Sequence, residues 1–449
     1  MNARIVGPTI INLNDAVTAG IQSFSPGSLG VERDAEVRMT GLLLGNQAFV
    51  DATKWAISKT LDLAAQSQRN RTVSKVYLEV DTGNGVWKRT EITGGELRAD
   101  TQHYDRLTRN HVPFELYISR KPWWEGAEVA IPLGNLNGTN NTTGLNVYNA
   151  NDFAGTSPNR QCNFADIAAG VIVGDMPTPV KLTAINKTAI RGDSRDDLGW
   201  LWIGMGHTNP GTVQASYEAE SFVAGTSSGT AITAAGVSGG AYWRYSVPPL
   251  AGNAYQNVGG YDLTAAQISA FAGQRVRMIL RSIAAMPPAI QIRLRFGNTG
   301  WQTDWVSSKE GFGLGAHELF DIRMPPVLEG LPNLGASRLY IDIRNTSTAY
   351  TVDLDDFHLI PTDGWCEFQT AVPTNAQVVI DGTEDRAYSA DSLGNNRAML
   401  MHYINSGLNL QPGKAHRFYF IQHFNLAYQW DIRQVISVMA SYRPRWATL

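Results

Sequence analysis

Between Asn46 and Arg69 the chain runs without a single Gly or Pro and sets Val50, Ile57, Leu61 and Ala64 at helical spacing. Asn46 is a suitable N-cap, because its side-chain oxygen can accept from a first-turn amide. Almost everything else is written in another grammar: short β-prone runs broken by turn residues. Residues Val73 to Val80 alternate, the turn Asp81-Thr82-Gly83-Asn84-Gly85 follows, and Val86 to Ile92 resumes. That pattern predicts a hairpin. Phe114 to Ser119 predicts a further strand, stopped by Pro122 and Gly126. The expected class is therefore mainly β, with one packed helix near the N-terminus.

A length of 449 residues predicts more than one domain. At 43% hydrophobic residues there is ample material for several cores. Charged residues make up only 17%, and the formal net charge is −3. A nucleic-acid binder draws affinity from a basic excess, which this chain lacks. Low charge with 43 Gly and 12 Trp suits surfaces covered by neighbouring subunits or by sugars. No stretch approaches a membrane span, and Met1 to Ile21 shows no signal-peptide pattern. Synthesis in the cytosol is expected. The two cysteines, Cys162 and Cys366, form no CxxC metal site; free buried thiols are expected, with a bond between them as the alternative.

From Tyr217 onward the spacing changes. Tyr242 to Val247, Arg275 to Ser282, Ile290 to Phe296, Leu319 to Met324 and Leu339 to Arg344 recur as short strands between turn clusters, closing at Val352 to Ile360. This spacing predicts a β-sandwich. The strands after Pro361 are too few for a sandwich of their own. We therefore expect a β unit with one helix over 1–124, a β-sandwich split into 125–211 and 363–449, and an inserted sandwich over 212–362.

Two resemblances attach to these segments. The inserted segment resembles β-jelly-roll carbohydrate-binding modules, through the opening Glu218-Ala219-Glu220, the turn Ser238-Gly239-Gly240-Ala241-Tyr242 and the closing Leu354-Asp355-Asp356-Phe357. That resemblance implies a structural calcium held by Glu218, Glu220 and Asp355. The remainder resembles distal-tail and baseplate proteins of tailed bacteriophages. The resemblance lies in its plan and in the stretches Tyr117 to Glu125, Gly174 to Val180, Ala415 to Tyr419 and Tyr442 to Trp446. It implies a split, galectin-like sandwich and a virion tail component assembled in the host cytoplasm. Such a component would form a ring, hexameric or trimeric, with other tail proteins as partners. A phage-tail-like contractile injection system shares these parts, and a stand-alone lectin-like adhesin is the alternative of another class.

Sugar binding needs exposed aromatic faces with a few polar groups to fix orientation. The module offers Trp243 and Tyr245, which alternate onto one side of a strand, and Trp301 and Trp305 in a turn-rich stretch. These four are the expected contacts with a cell-surface glycan.

No catalytic constellation emerges. The GxSxG matches at Gly225 to Gly229 and Gly236 to Gly240 lack the strand-then-helix flanks of a nucleophile elbow. The eight His are dispersed, with no HxH or HExxH pair. Glu310, Glu318 and Asp321 could in principle supply a glycosidase pair, but nothing singles them out. Arg191-Gly192-Asp193 reads as a loop tripeptide, and Asp193, Asp196 and Asp197 as a solvated acidic loop.

Overall fold

The structure is a computed structural model of the whole chain. It describes all residues except 1, 16–18, 26–34, 71–72, 82, 84, 100–110, 150–161, 207–215, 225–228, 235–236, 238–239, 253, 264–274, 283–285, 298–301, 313–316, 324–337, 362–363, 396–397, 400–402, 406 and 425–432. Antiparallel sheets dominate the described residues, with one long α-helix. The chain divides into two compact units.

The first unit holds Met1–Val129, Val173–Thr178 and Arg443–Leu449. Its sheet has nine strands, and its central ladder pairs Ala35–Leu44 with His111–Arg120, from Ala35 opposite Arg120 to Leu44 opposite His111. Along Ala35–Leu44 the side chains alternate, so Val37, Met39 and Leu43 are buried while Glu36 and Arg38 face solvent. The hairpin pairs Tyr77–Asp81 with Trp87–Ala99, and the second strand continues past Ile92 through a bulge.

The helix spans Gln47–Ser67. Gly45, at φ 115°, turns the chain out of the preceding strand, and Asn46 Oδ1 accepts from the Phe49 amide at 2.9 Å. The expected positions Val50, Ile57, Leu61 and Ala64 are all buried, joined by Thr53 and Thr60, and the helix packs on Trp87–Ala99. Thr60 returns its hydroxyl to the Ala56 carbonyl, which lets a polar side chain sit in the buried stripe.

The first unit is larger than the expected 1–124. Arg445–Trp446 adds a short strand against Trp124–Glu125. The reason is electrostatic and aromatic. Glu125, almost fully buried, accepts from Arg89 at 3.2 Å and from Arg445 at 2.7 Å. Arg445 stacks over the Trp123 ring at 4.3 Å, and Lys88 over Trp446 at 4.8 Å. Arg120 is buried over Trp124, and burial pushes its guanidinium down to about 10. The range 363–449 therefore gives up its last seven residues, Arg443–Leu449, to this unit, and 173–178 goes with them.

The second unit holds Ala130–Ile172 and Pro179–Tyr442. One of its sheets orders Gly138–Asn140, Leu133–Asn135, Phe164–Ile167, His416–Phe424, Leu198–Gly206, Gly364–Val372 and Tyr403–Asn405. Another runs through Leu145–Tyr148, Val435–Tyr442, Thr178–Asn186, Gln377–Asp381, Arg386–Ala390 and Ala398–Met399. A single apolar core joins them, with Leu201, Ile203, Phe368 and Phe420 from the first and Leu182, Ala184, Val378 and Val438 from the second. This is a sandwich made from strands on both sides of the 216–361 segment.

Among the described residues, the strands between Ser216 and Pro361 pair with one another in a six-stranded and a five-stranded sheet. The six-stranded sheet includes Ala241–Val247, Arg275–Ser282, His317–Arg323 and Tyr350–Pro361. The five-stranded sheet orders Val223–Ala224, Gln256–Asp262, Arg338–Asn345, Met286–Gly297 and Gln302–Phe312. Alternation is strict along its centre: Ile290, Ile292 and Leu294, with Leu339, Ile341 and Ile343, are buried.

Candidate functional site

The expected aromatic contacts do not come together as an exposed platform. Trp243 and Tyr245 do share one side of Ala241–Val247, but that side is the core. Tyr245 is 1% exposed and Val247 is fully buried. Their cross-strand partners are Leu354 and Val352, both buried. Burial pushes the Tyr245 hydroxyl far above its ordinary range. Trp243 is half-buried, its ring 6.2 Å from that of Tyr245, and Gly229 lies flush against its indole, where an added Cβ would fall 1.8 Å from Nε1. Tyr245 therefore has no face to offer a sugar, which corrects its assignment. Trp301 lies outside the described residues. Trp305 is on the strand Gln302–Phe312, which pairs with Met286–Gly297 from Gln302 opposite Gly297, rather than in a turn; its side chain lies outside the described residues.

The calcium candidates sit on three neighbouring pieces. Glu218 ends Ser216–Glu218, with its backbone opposite Asp356; its side chain is outside the description. Glu220 lies in the turn Ala219–Ser221, which packs against Tyr350–Pro361, the strand that carries the fully buried Asp355. One oxygen of Glu220, Oε2, is buried without a hydrogen-bond partner. Among the described residues, which do not include the Glu218 side chain, no three His, Cys, Asp or Glu side chains converge as a metal site.

The polar side of the five-stranded sheet is the feature that sequence reading missed. Asp342 is buried at its centre. It accepts from Arg293 Nη2 at 2.7 Å, from Arg295 Nη2 at 3.0 Å and Nε, and from Asn257 Nδ2 at 3.0 Å. Burial pushes its carboxyl up, and the hydrogen bonds from Arg295, Asn257 and Arg293 outweigh this and hold it below its ordinary range. The Arg293 guanidinium lies 4.0 Å over the Tyr255 ring, and that of Arg295 lies 4.9 Å over Tyr340. Arg338 binds Asp262 with bonds of 2.6 and 3.0 Å. Tyr255 donates its hydroxyl to Gln291 Oε1. The signal was present in the strands as period-two text, Gln291-Ile292-Arg293-Leu294-Arg295 and Arg338-Leu339-Tyr340-Ile341-Asp342-Ile343-Arg344: one side apolar, the other built of Arg, Tyr and Asp.

Other sequence candidates resolve into structural roles. Asp196, expected in a solvated loop, is fully buried, and its Oδ2 accepts from the amides of Ile190, Arg191 and Gly192 at 2.9, 2.7 and 2.7 Å. Three N–H dipoles already point at this oxygen, an anion's environment and unsuited to a cation. Asp193 is held down to about 2 by Arg195, whose guanidinium grips both its oxygens. Burial, then the charges of Asp196 and Asp193, raises Asp197. Cys162 and Cys366 are both buried and not joined in a disulfide, and burial pushes the Cys366 thiol well up. The side chains of Glu310, Glu318 and Asp321 lie outside the description.

Comparison with known proteins supplies no family. No family model matches the chain, and no curated protein matches it. Among solved structures, a chain of the T13 IBDV viral particle matches over 86% of this chain and 85% of its own, at 6% identity and a TM-score of 0.18. PNGF-II in a P21 crystal form matches over 99% and 98%, at 7% identity and a TM-score of 0.13. Likenesses this faint carry no argument about fold or role.

Proposed function

We propose that this protein is a structural component of a phage tail tip, of distal-tail or baseplate type, that forms a ring and displays a sugar-binding module for attachment to the host surface. The observation that carries the reading is where the 216–361 segment is inserted. It leaves the sandwich at the end of Leu198–Gly206 and re-enters at the start of Gly364–Val372, and these two strands are antiparallel neighbours in one sheet. A scaffold can carry such an insert without breaking its own ladder, and a ring of scaffolds then presents one module per subunit. Weak single sites gain avidity when several copies engage one surface.

The first unit is the ring-forming part in this account, through strand edges of its sheet. Glycan recognition belongs to the inserted module, on the polar side of its five-stranded sheet rather than on Tyr245. A structural calcium at Glu218, Glu220 and Asp355 fits the burial of Asp355 and the Glu220 Oε2, which is buried without a hydrogen-bond partner. Its role would be to tie the opening and closing segments of the module together.

Light scattering of the full chain over a concentration series, with a glycan array probed by the same protein, tests this. A hexamer or trimer that retains glycans is the expected result. A monomer at every concentration that retains glycans points to the adhesin class instead. Release of reducing sugar would mark an enzyme.

A further inference from the structure

Resting on the reading that the inserted module binds glycans, we propose that its five-stranded sheet selects acidic saccharides and that Arg344 receives the carboxylate of a sugar acid.

The argument begins with register. Direct partners in antiparallel strands share a side of the sheet. Arg338, Tyr340, Asp342 and Arg344 alternate onto the polar side of Arg338–Asn345, opposite Gly297, Arg295, Arg293 and Gln291 in turn. Asp262 lies opposite Arg338. Among the described side chains this side carries four arginines (Arg293, Arg295, Arg338, Arg344) and two carboxylates (Asp262, Asp342).

The pairing shows which arginine is left without an acid among the described residues. Asp342 is taken by Arg293 and Arg295, and Asp262 by Arg338. Arg344 has no acidic partner among the described residues, and its Nε is buried without an acceptor. A buried donor of a charged group left unsatisfied destabilises the fold. Such a group persists where a ligand supplies the missing acceptor. A guanidinium offers Nε–H and Nη–H in a planar fork that matches the two oxygens of a carboxylate. An unpaired planar guanidinium calls for an anionic group of matching planar geometry, and the carboxylate of a uronic or similar sugar acid supplies it. The neighbouring side chains are already fixed: Arg293 and Arg295 are clamped on Asp342 and on the rings of Tyr255 and Tyr340. The face is thus organised before any ligand arrives, which limits the ordering entropy lost on binding.

The test uses the full chain on an array of neutral, carboxylated and sulfated oligosaccharides, with Arg344→Met and Arg344→Lys beside the native protein. Retention of carboxylated members is expected. Arg344→Met should weaken it at least tenfold, with Arg344→Lys in between. Because the native Nε is buried without an acceptor, Arg344→Met should melt no lower than the native protein, which separates loss of a ligand contact from loss of fold. Neutral glycans bound equally by native and Arg344→Met protein would overturn the proposal while leaving glycan binding intact. Retention of sulfated members alone would overturn it as well. An array on which nothing is retained would remove both this proposal and the reading beneath it. A lower melting temperature for Arg344→Met would show that Arg344 is structural and overturn its assignment as a ligand contact.

Discussion

Met205 and Gly364 are antiparallel partners, although the whole 216–361 segment lies between them in sequence. From this pair the two strands run on, Ile203 opposite Cys366 and Leu201 opposite Phe368, into the core of the sandwich. The scaffold's hydrogen-bond ladder is therefore complete without the insert. Replacing residues 212–362 with a short Gly/Ser linker should leave a folded protein with unchanged oligomeric state and no glycan retention. Circular dichroism and light scattering of the deletion variant check this; an unfolded product would show that the insert is part of the scaffold's core.

Asp342 should govern the module's stability in acid. Its folded pKa lies below the unfolded value, so its contribution is full above the unfolded value and drains away as pH falls through the folded one. The loss should begin below about pH 4, the ordinary aspartate range. Asp342→Ala leaves Arg293 and Arg295 facing one another without a carboxylate and should destabilise the module by about 3 kcal/mol. Thermal melts of both proteins between neutral and acid pH measure each effect.

Glu125 secures the C-terminal segment. It accepts from Arg89 and Arg445, and its side chain is 5% exposed. Glu125→Ala should cost the first unit about 3 kcal/mol by leaving two guanidiniums without their acid. Limited proteolysis should then trim the chain near Arg443, a site protected in the native protein.

Asp196 holds its loop by accepting from three backbone amides. Asp196→Ala should destabilise the second unit by about 3 kcal/mol, since hydrogen bonds to a charged acceptor are worth more than neutral ones. Asp193→Ala, which touches only the exposed Arg195 pair, should change the melting temperature little.

If calcium is held by Glu218, Glu220 and Asp355, millimolar calcium should raise the melting temperature and a chelator lower it. Asp355→Asn should abolish the difference. Equal melts with and without calcium would remove the ion from the account.

The helix and the class of the fold were legible in the chain because both rest on short-range physics. The run from Asn46 carries its own cap and its own buried stripe, and the strands announce themselves by alternation. The C-terminal return of Arg445–Trp446 to Trp124–Glu125 was not legible, because it depends on a carboxylate and two guanidiniums that are far apart in sequence. Tyr245 was misread for a related reason. Alternation places it beside Trp243 but does not say which side of the strand is the core; the pairing with Val352 and Leu354 does. The polar face around Asp342 needed the register of three strands before its arginines could be counted against its acids.

The central claim is that this chain sits in a ring at the tip of a tail and turns its inserted module outward. Tails isolated from cells that produce the protein, labelled with antibody against residues 212–362 and viewed by electron microscopy, test it most directly. The account predicts label confined to the tail tip, in several copies around the axis. Tails that carry no label, with the protein recovered only as a free monomer, would contradict it.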